Sequence, residues 1–174
     1  MTNAENVMLA RRSVRSYREE QIKDEELARI LECGLYAPTG RNRQCVMMVA
    51  VQDKETIALM SRLNASVMGV DSDPFYGAPT VIVVFADKDV YTHVEDGSLV
   101  MGNLLNAAYA VGLGSCWIHR ARDVFEMPEG RELMKKWGVP DNYEGIGNCI
   151  VGYSVDEQPL VAAERKEGRV VIVK

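Results

Sequence analysis

The sequence has little of the chemistry on which most metal sites and nucleophile sites depend. It contains two histidines, His93 and His119, and four cysteines that form no C-x-x-C pair. Two histidines cannot build a three-histidine metal site, and no spacing typical of a zinc site occurs. Scattered cysteines are typical of reduced residues packed in the interior, and here they are Cys33, Cys45, Cys116 and Cys149. We therefore expect no metal ion and no cysteine-based redox reaction.

The sequence signatures of several large enzyme classes are also absent. There is no G-x-x-x-x-G-K-[ST] phosphate loop and no G-x-S-x-G nucleophile elbow. The segment GLGSCW at 112–117 begins like a dinucleotide-binding fingerprint, but it lacks the third glycine and precedes a predicted strand rather than a helix. These absences exclude the usual nucleotide-hydrolysing, serine-hydrolase and Rossmann-type dinucleotide-binding layouts.

Long apolar stretches are missing too. The first residues, MTNAENVMLARRS, lack the apolar run of a signal peptide, and no segment reaches the length of a transmembrane helix. A formal net charge of −5 argues against a general binder of nucleic acids or anionic membranes. A length of 174 residues suits one compact unit, so we expect a single cytoplasmic domain over residues 1–174, with neither nucleic acid nor membrane as a partner.

What the sequence does contain is a regular alternation of helical and strand patterns. The spacing of apolar residues predicts helices over 4–12, 22–38, 55–68 and about 98–111, and another within 125–140. Short apolar runs rich in β-branched residues predict strands over 46–51, 80–86, 115–119, 145–153 and 169–173. Strands separated by helices indicate an α/β or α+β sheet with helical cover.

Two of these segments raise the question of a second subunit. The predicted helix at 98–111 carries apolar residues around most of its circumference, so it must be buried on more than one face. A dimer core would explain this, and so would burial under the sheet of a single chain. The strand-like tail at 169–173 likewise needs a sheet edge, which its own subunit or a partner can provide.

The segment RRSVRSY at 11–17 concentrates arginines on an acidic background. In an extended chain Arg11, Ser13 and Arg15 project to one side and Arg12 faces elsewhere. Two guanidinium groups flanking a hydroxyl suit a phosphate dianion, with each charge-assisted hydrogen bond contributing roughly 1.5–3 kcal/mol. The alternative is that these arginines only complement the dipole at the end of a preceding helix and stay in water.

The order of several motifs adds to this picture. RRSVRSY is followed by APTGRNRQ, FYGAP, GLGSCWIHR and a basic C-terminal segment, and in this order the motifs resemble those of the FMN-dependent nitroreductase family. The resemblance covers essentially the whole chain. It implies an α+β fold in which a central mixed or antiparallel sheet is flanked by helices. It also implies an intertwined homodimer with FMN at the subunit interface.

The resemblance assigns RRSVRSY to that cofactor. Arg11, Ser13 and Arg15 would hold the FMN phosphate and the polar edge of the flavin, and Arg12 would contact the ribityl chain. The negative partner of the arginine cluster would therefore be a phosphate, and Ser13 would supply a compact donor between two guanidinium groups.

A second loop would come from the other subunit. The family's loop corresponds here to Pro38, Thr39, Gly40, Asn42 and Gln44. Glycine stands at a position where the family usually has a hydroxyl residue, so any contact made by Gly40 must come from its backbone. Thr39 can still supply a side-chain oxygen.

Two further groups of residues follow from the resemblance. Backbone amides of Ile118, His119 and Arg120 would lie beside the reactive N5 of the flavin, so the imidazole of His119 would matter less than the position of its backbone; a purely structural histidine is the alternative. In the tail, Arg165 and Lys166 fit the basic residues that the family places near the phosphate.

The implied activity is a ping-pong oxidoreductase reaction. NADH or NADPH would deliver hydride to FMN, and a small-molecule acceptor, a nitroaromatic or a quinone, would then take it from the same site. Two alternatives keep the flavin: a flavin or enone reductase with another physiological acceptor, and a non-catalytic flavin-binding dimer. In each case the cofactor rather than a side chain carries the chemistry, so we predict no catalytic side chain.

Overall fold

The computed structural model of the chain describes residues 3–155 and 160–174. Its helices are α1 (Asn3–Ala10), α2 (Asp24–Leu35), α3 (Lys54–Met68), α4 (His93–Ala110), α5 (Ala121–Glu126) and α6 (Pro128–Lys136). Its strands are β1 (Val46–Val51), β2 (Thr80–Asp87), β3 (Gly114–Ile118) and β4 (Tyr143–Gly152). A short 3-10 turn occupies Gly40–Asn42.

The strands form one antiparallel sheet in the order β1-β2-β4-β3. The pairing of β3 with β4 runs from Gly114 opposite Gly152 to Ile118 opposite Asn148. Because β3 lies at the end of this order, one of its sides faces away from the sheet. The expected α+β class, with an antiparallel sheet flanked by helices, is confirmed.

Hydrophobic cores cover both faces of the sheet. Strand β2 is buried along nearly its whole length, and its alternate side chains enter different cores. Val81, Val83 and Phe85 pack with apolar residues of α3, α5 and α6. The side chains between them pack with residues of α2 and α4. This double burial explains why β2 reads as a continuous apolar run rather than as an alternating pattern.

Helix α3 lies over the first of these faces and has clear ends. The carboxylate of Asp53 accepts a hydrogen bond from the N–H of Thr56 at 2.9 Å and so caps the N-terminus. Gly69, with φ of 69°, ends the helix in the left-handed conformation. Among the buried residues of α3 is one polar side chain, Asn64, which is fully buried.

Several sequence predictions need correction. The helix expected within 125–140 is confirmed as α6, but α5, which precedes it and ends at Glu126, was not predicted. Helix α4 begins at His93, earlier than predicted. The strand predicted at 169–173 does not form within the described chain, and the side chains of Val170 to Val173 are exposed. The physical reason is that this tail has no sheet edge of its own subunit beside it.

Some large apolar side chains remain uncovered in the single chain. On α4, Val100, Met101 and Leu104 are buried under the sheet, whereas Leu99 is 48% exposed and Tyr109 is 39% exposed. The sheet therefore accounts for only part of the apolar surface of this helix. Of the helices in residues 3–155 and 160–174, none combines the length and the apolar character needed to cross a bilayer.

Candidate functional site

The arginine-rich segment lies beside the start of β3. The N–H of Val14 donates to the carbonyl of Ser115 at 3.0 Å, and Ser13 forms an isolated parallel bridge with Ser115. Gly114 permits this close approach, because a Cβ there would lie 2.8 Å from a methyl of Val14. The bridge fits the extended conformation predicted for the segment and fixes it at the outer edge of the sheet.

A cavity of about 470 Å³ opens at this segment, lined by Arg12, Ser13, Arg15, Ser16, Leu160 and Val161. Arg11 is not among these residues, and Arg12 lines the cavity with Ser13 and Arg15, so the role of Arg11 toward a cofactor stays a prediction. The position of the Arg12 side chain is set by its contacts with the end of α1. The guanidinium of Arg12 donates to the carbonyl of Leu9 at 2.8 Å and to the carbonyl of Arg11, so part of it caps the helix, as the alternative reading of the cluster proposed.

Two guanidinium nitrogens of this segment are buried without an acceptor in the described part of the chain. They are Nη1 of Arg11 and Nε of Arg12. Arg11 lies close enough to Cys149 of β4 for its charge to oppose the burial that raises the pKa of that thiol. A buried donor left unpaired costs about 1–3 kcal/mol, and more when it is charged. These atoms therefore favour an anionic or acceptor-rich group nearby.

Most backbone donors of the 38–44 loop are paired, several of them within the loop. The N–H of Asn42 donates to the carbonyl of Thr39 at 2.9 Å, and that of Arg43 donates to the carbonyl of Gly40 at 3.2 Å. The N–H of Gln44 donates to the side-chain oxygen of Thr39 at 3.0 Å. What the loop presents outward is side chains, among them Asn42 and Gln44, whose carboxamides are joined at 3.2 Å.

A buried carboxylate on α4 anchors this loop. Asp96, 3% exposed, accepts from the N–H of Gly40 at 2.9 Å, from the hydroxyl of Thr92 at 3.0 Å and from the thiol of Cys45 at 3.3 Å. Burial, and next the hydrogen bond to Asp96, raise the pKa of Cys45 to about 11. A Cβ on residue 40 would overlap the hydroxyl of Thr92. The glycine that replaces the family's hydroxyl residue is thus explained by contact with α4.

The loop and the arginine cluster do not meet within one chain. Pro38, Thr39, Asn42 and Gln44 line a different cavity, of about 570 Å³, together with residues of α2, β1 and α4. Tyr36, 81% exposed, also borders this second cavity. The two predicted parts of the cofactor site are therefore separate surfaces of the single chain.

The end of β3 turns into α5 through Ile118, His119 and Arg120. The carboxamide of Asn64 donates to the carbonyl of His119 at 3.0 Å and accepts from Nε of Arg120 at 3.0 Å. The carboxamide of Asn148 donates to the carbonyl of Ile118 at 3.3 Å. Successive carbonyls of this segment are thus held by buried asparagines, Asn64 and Asn148 being 0% and 1% exposed.

The backbone donors of the same segment remain free. Within residues 3–155 and 160–174, neither the N–H of His119 nor that of Arg120 has an acceptor. His119 is exposed and its side chain borders a cavity of about 410 Å³ beside Trp117 and Arg122. Its imidazole makes no hydrogen bond to the described residues, so the structural-histidine alternative gains no support.

Backbone strain concentrates in these two segments. The described non-glycine residues with positive φ are Arg41, Asn42, Gln44, Tyr76 and Arg120, and all but Tyr76 belong to the 38–44 loop or the end of β3. Such conformations cost roughly 1–3 kcal/mol each and persist where the surrounding structure imposes them. Their clustering marks both segments as functional candidates.

The predicted tail residues lie apart from the arginines. Arg165 and Lys166 are exposed and make no hydrogen bond or ion pair to the described residues. Of the described tail, residues 160–174, only Leu160 and Val161 border the arginine cavity. Sequence reasoning missed Asn64, Asp96 and Asn148, and the available signal was weak: a polar residue inside an otherwise apolar helical or strand pattern.

The residues present fit a cofactor with an anionic end and an acceptor-rich ring. Ser13, Arg12 and Arg15 offer hydroxyl and guanidinium donors around one cavity at the start of β3. At the other end of the strand, His119 and Arg120 offer free backbone donors. FMN has a phosphate and a flavin ring with several acceptor atoms, so both ends of β3 carry donors of a kind that it requires.

The chain is similar to known proteins over most of its length. A profile of the nitroreductase family matches residues 8–70 and 66–153. A protein of Archaeoglobus fulgidus named NADH dehydrogenase/NAD(P)H nitroreductase is 31% identical, over 91% of this chain and 89% of that protein. The FMN reductase (NAD(P)H) of Bacillus subtilis is 26% identical over 83% of this chain, which spans 63% of that relative. A nitroreductase of Bacteroides fragilis solved with bound FMN superimposes with a TM-score of 0.91 at 27% identity over 100% of both chains. This chain belongs to the nitroreductase family.

Proposed function

We propose that this protein is an FMN-dependent oxidoreductase that takes hydride from NADH or NADPH and passes it by a ping-pong reaction to nitroaromatic or quinone-type acceptors. Residues 1–174 form one domain of a cytoplasmic homodimer. The observation that carries the proposal is a set of donors without acceptors at both ends of β3. The relatives agree with it, since the Bacteroides fragilis structure holds FMN and the Archaeoglobus fulgidus protein is named for NAD(P)H.

The cofactor phosphate lies at the start of β3. Ser13 donates its hydroxyl there, and Arg12 and Arg15 neutralise the charge from the same cavity. Arg11 contributes its unpaired nitrogen from the side of β4. The tail residues Arg165 and Lys166 reach this region only when the tail folds back or a second subunit brings its own.

The Arg15 guanidinium gives this assignment its direct test. Changing Arg15 to Ala should weaken FMN binding about tenfold, because a charge-assisted hydrogen bond of 1.5–3 kcal/mol is lost. Since Arg15 is also predicted to contact the polar edge of the flavin, its loss should lower the flavin's reduction potential, because a positive charge that favours the reduced, more negative ring is removed. The matched control is Arg18→Ala, an exposed arginine outside the cavity. Unchanged FMN affinity and potential in Arg15→Ala would contradict the assignment.

The reacting end of the cofactor lies at the end of β3. When bound, the flavin supplies the hydride-accepting atom N5. The chain's part is to present the N–H groups of His119 and Arg120 to the ring and to keep them fixed. A fixed donor stabilises electron density that develops on the ring without any reorganisation at the moment of transfer.

A second subunit completes the site. Pro38, Thr39, Asn42 and Gln44 form a surface separate from the arginine cavity, so the two can contact one FMN only if they come from different chains. The uncovered apolar side chains of α4, the exposed Leu35 and Tyr36, and the apolar tail support the same assembly. Sedimentation analysis should give a dimer at micromolar concentration; a monomer that still holds FMN would contradict this part of the proposal.

Hydride transfer is tested by anaerobic titration. The purified protein reconstituted with FMN should lose its visible flavin absorbance when NADH or NADPH is added, and the better donor is the one that bleaches it faster. Absorbance should then return on addition of an acceptor. Full FMN occupancy with no bleaching by either nucleotide would favour the non-catalytic flavin-binding dimer instead.

The acceptor separates the main proposal from a flavin reductase. The Bacillus subtilis relative, named as an FMN reductase, favours this second candidate. Steady-state rates with a nitroaromatic, a quinone and free FMN as acceptors would decide between them. A kcat/KM for free FMN that exceeds the others by orders of magnitude would replace the nitroaromatic or quinone assignment and leave the FMN chemistry intact.

A further inference from the structure

Asn64 is a polar residue in a place suited to an apolar one. It lies on the buried face of α3 between Met60 and Leu63 on one side and Ala65 on the other, and it is 0% exposed. Both ends of its carboxamide are used on the same dipeptide: Nδ2 donates to the carbonyl of His119, and Oδ1 accepts from Nε of Arg120, each at 3.0 Å. No other polar atom of α3 makes a hydrogen bond to this segment.

The bond to the His119 carbonyl fixes the direction of the next N–H. In a planar trans peptide the carbonyl and the N–H point to opposite sides. Because the carbonyl of His119 points to Asn64, the N–H of Arg120 must point away from α3. The φ of 72° at Arg120 is the backbone conformation that this turn requires.

The preceding peptide is fixed from the other side. The carbonyl of Ser115 faces outward and accepts from Val14, and alternate residues of an antiparallel strand direct their polar groups to opposite sides. The carbonyl of Ile118 therefore faces β4, where Asn148 reinforces it with its carboxamide at 3.3 Å. The N–H of His119 then points outward.

We infer that Asn64 is a positioning residue for the cofactor reaction: its buried carboxamide clamps His119 and Arg120 so that the N–H of Arg120 is presented to the flavin. Asn148 supports the same presentation through Ile118. This inference rests on the proposed function. It concerns a side chain that itself lies within the core and holds the donor-bearing peptide from behind.

The test compares variants of the full-length protein reconstituted with FMN. Asn64→Asp keeps the size of the side chain and the acceptor for Arg120 but cannot donate to the His119 carbonyl. Asn64→Leu removes both bonds and keeps a similar volume. We expect the Kd for FMN to rise about tenfold in each, equivalent to about 1.4 kcal/mol, and the midpoint potential of the bound flavin to fall.

A matched control separates positioning from general stability. Met60→Ala opens a cavity in the same helix, one turn away, at a residue that is 1% exposed and makes no hydrogen bond to His119 or Arg120. It should lower the free energy of unfolding while leaving the FMN Kd and potential within about twofold of the wild type. Should Asn64→Leu fail to fold, Asn64→Asp carries the comparison, because it is nearly isosteric.

The outcomes are distinct. If the wild type binds FMN and both Asn64 variants match it in Kd and potential, the inference is overturned while the proposed function stands. If Met60→Ala shifts them as much as the Asn64 variants do, Asn64 has only a structural role and the inference is again overturned. A wild type that takes up no FMN overturns the proposed function and this inference with it.

Discussion

The 38–44 loop and the end of β3 are held in opposite ways. In the loop most N–H groups are paired: Gly40 donates to Asp96, and Gln44 donates to Thr39, while those of Thr39 and Arg41 have no acceptor in the described chain. At the end of β3, the carbonyls are consumed by buried asparagines and the N–H groups of His119 and Arg120 stay free. A loop whose backbone donors are mostly used offers a ligand mainly its side chains, whereas a segment whose carbonyls are used can offer its backbone N–H groups.

The difference determines where residue identity should matter. In the 38–44 loop the exposed carboxamides of Asn42 and Gln44 are the groups expected to recognise FMN, so substituting them should weaken FMN binding. At His119 the side chain is replaceable, and what must be preserved is the peptide geometry behind it. The anchoring residues, Asp96 for one segment and Asn64 for the other, are both buried polar side chains on a helix that packs against the segment.

The largest expected effect comes from breaking the anchor of the loop. Changing Asp96 to Ala removes the acceptor of the Gly40 N–H, of the half-buried Thr92 hydroxyl and of the buried Cys45 thiol, so the free energy of unfolding should fall by about 3 kcal/mol. Urea denaturation measures this loss of unfolding free energy. Asp96→Asn should cost less, since a carboxamide can still accept from Gly40. A loss below about 0.5 kcal/mol for the alanine variant would show that the anchor has no stabilising role.

A smaller effect is expected from filling the space that the loop glycine leaves. Gly40→Ala places a methyl against Thr92 and should cost about 2 kcal/mol of unfolding free energy. In a Thr92→Ala background the same change should cost about 1 kcal/mol less, because the overlapping hydroxyl is gone. If the two substitutions change the free energy of unfolding by strictly additive amounts in denaturation experiments, the contact is contradicted.

Side-chain and backbone recognition can be compared directly through FMN affinity. Asn42→Ala should raise the FMN Kd about fivefold, the effect of losing one hydrogen bond of about 1 kcal/mol. His119→Ala should raise it less than about twofold, because the imidazole makes no hydrogen bond and only the backbone is used. Fluorescence titration of the two reconstituted variants gives both Kd values. A larger rise for His119→Ala than for Asn42→Ala would contradict the proposed difference between the two segments.

The smallest expected effect is the pH dependence of the anchor. Burial and Asp96 raise the pKa of Cys45 from 9.0 to about 11 in the folded protein, so the neutral thiol is favoured there. The stability that this provides is complete below pH 9 and is lost as pH rises toward 11. Between pH 8 and 10 the wild type should lose about 1 kcal/mol more than Cys45→Ser, a hydroxyl that does not ionise in this range. If the free energy of unfolding, measured by urea denaturation, falls equally with pH in the wild type and in Cys45→Ser, the assignment is contradicted.

The fold was predictable where burial is periodic. Strand β1 was predicted at 46–51 and occupies Val46–Val51, because a short apolar run between polar loops has few other solutions. Helix α3 was predicted over 55–68 and occupies Lys54–Met68 for the same reason. The strand predicted at 169–173 does not form in the described chain, because a strand pattern alone does not say whether a sheet edge will pair with it.

The site was predictable only in part. The motif RRSVRSY marked the cavity at the start of β3, but not that the end of α1 would draw Arg12 toward it and leave Arg11 on the side of β4. Asn64, Asp96 and Asn148 act through residues far away in sequence, so no local pattern reveals them. The roles of the sequence-predicted site residues toward FMN stay predictions that the proposed experiments test.

The most direct measurement is the amide hydrogen exchange of His119 and Arg120 in the purified protein, with and without stoichiometric FMN. Both amides should exchange rapidly in the cofactor-free protein, since neither has an acceptor in the described chain, and at least one should become strongly protected when FMN binds. The amide of Gly40, already bonded to Asp96, should be protected in both states. Bound FMN with no change at His119 or Arg120 would contradict the account.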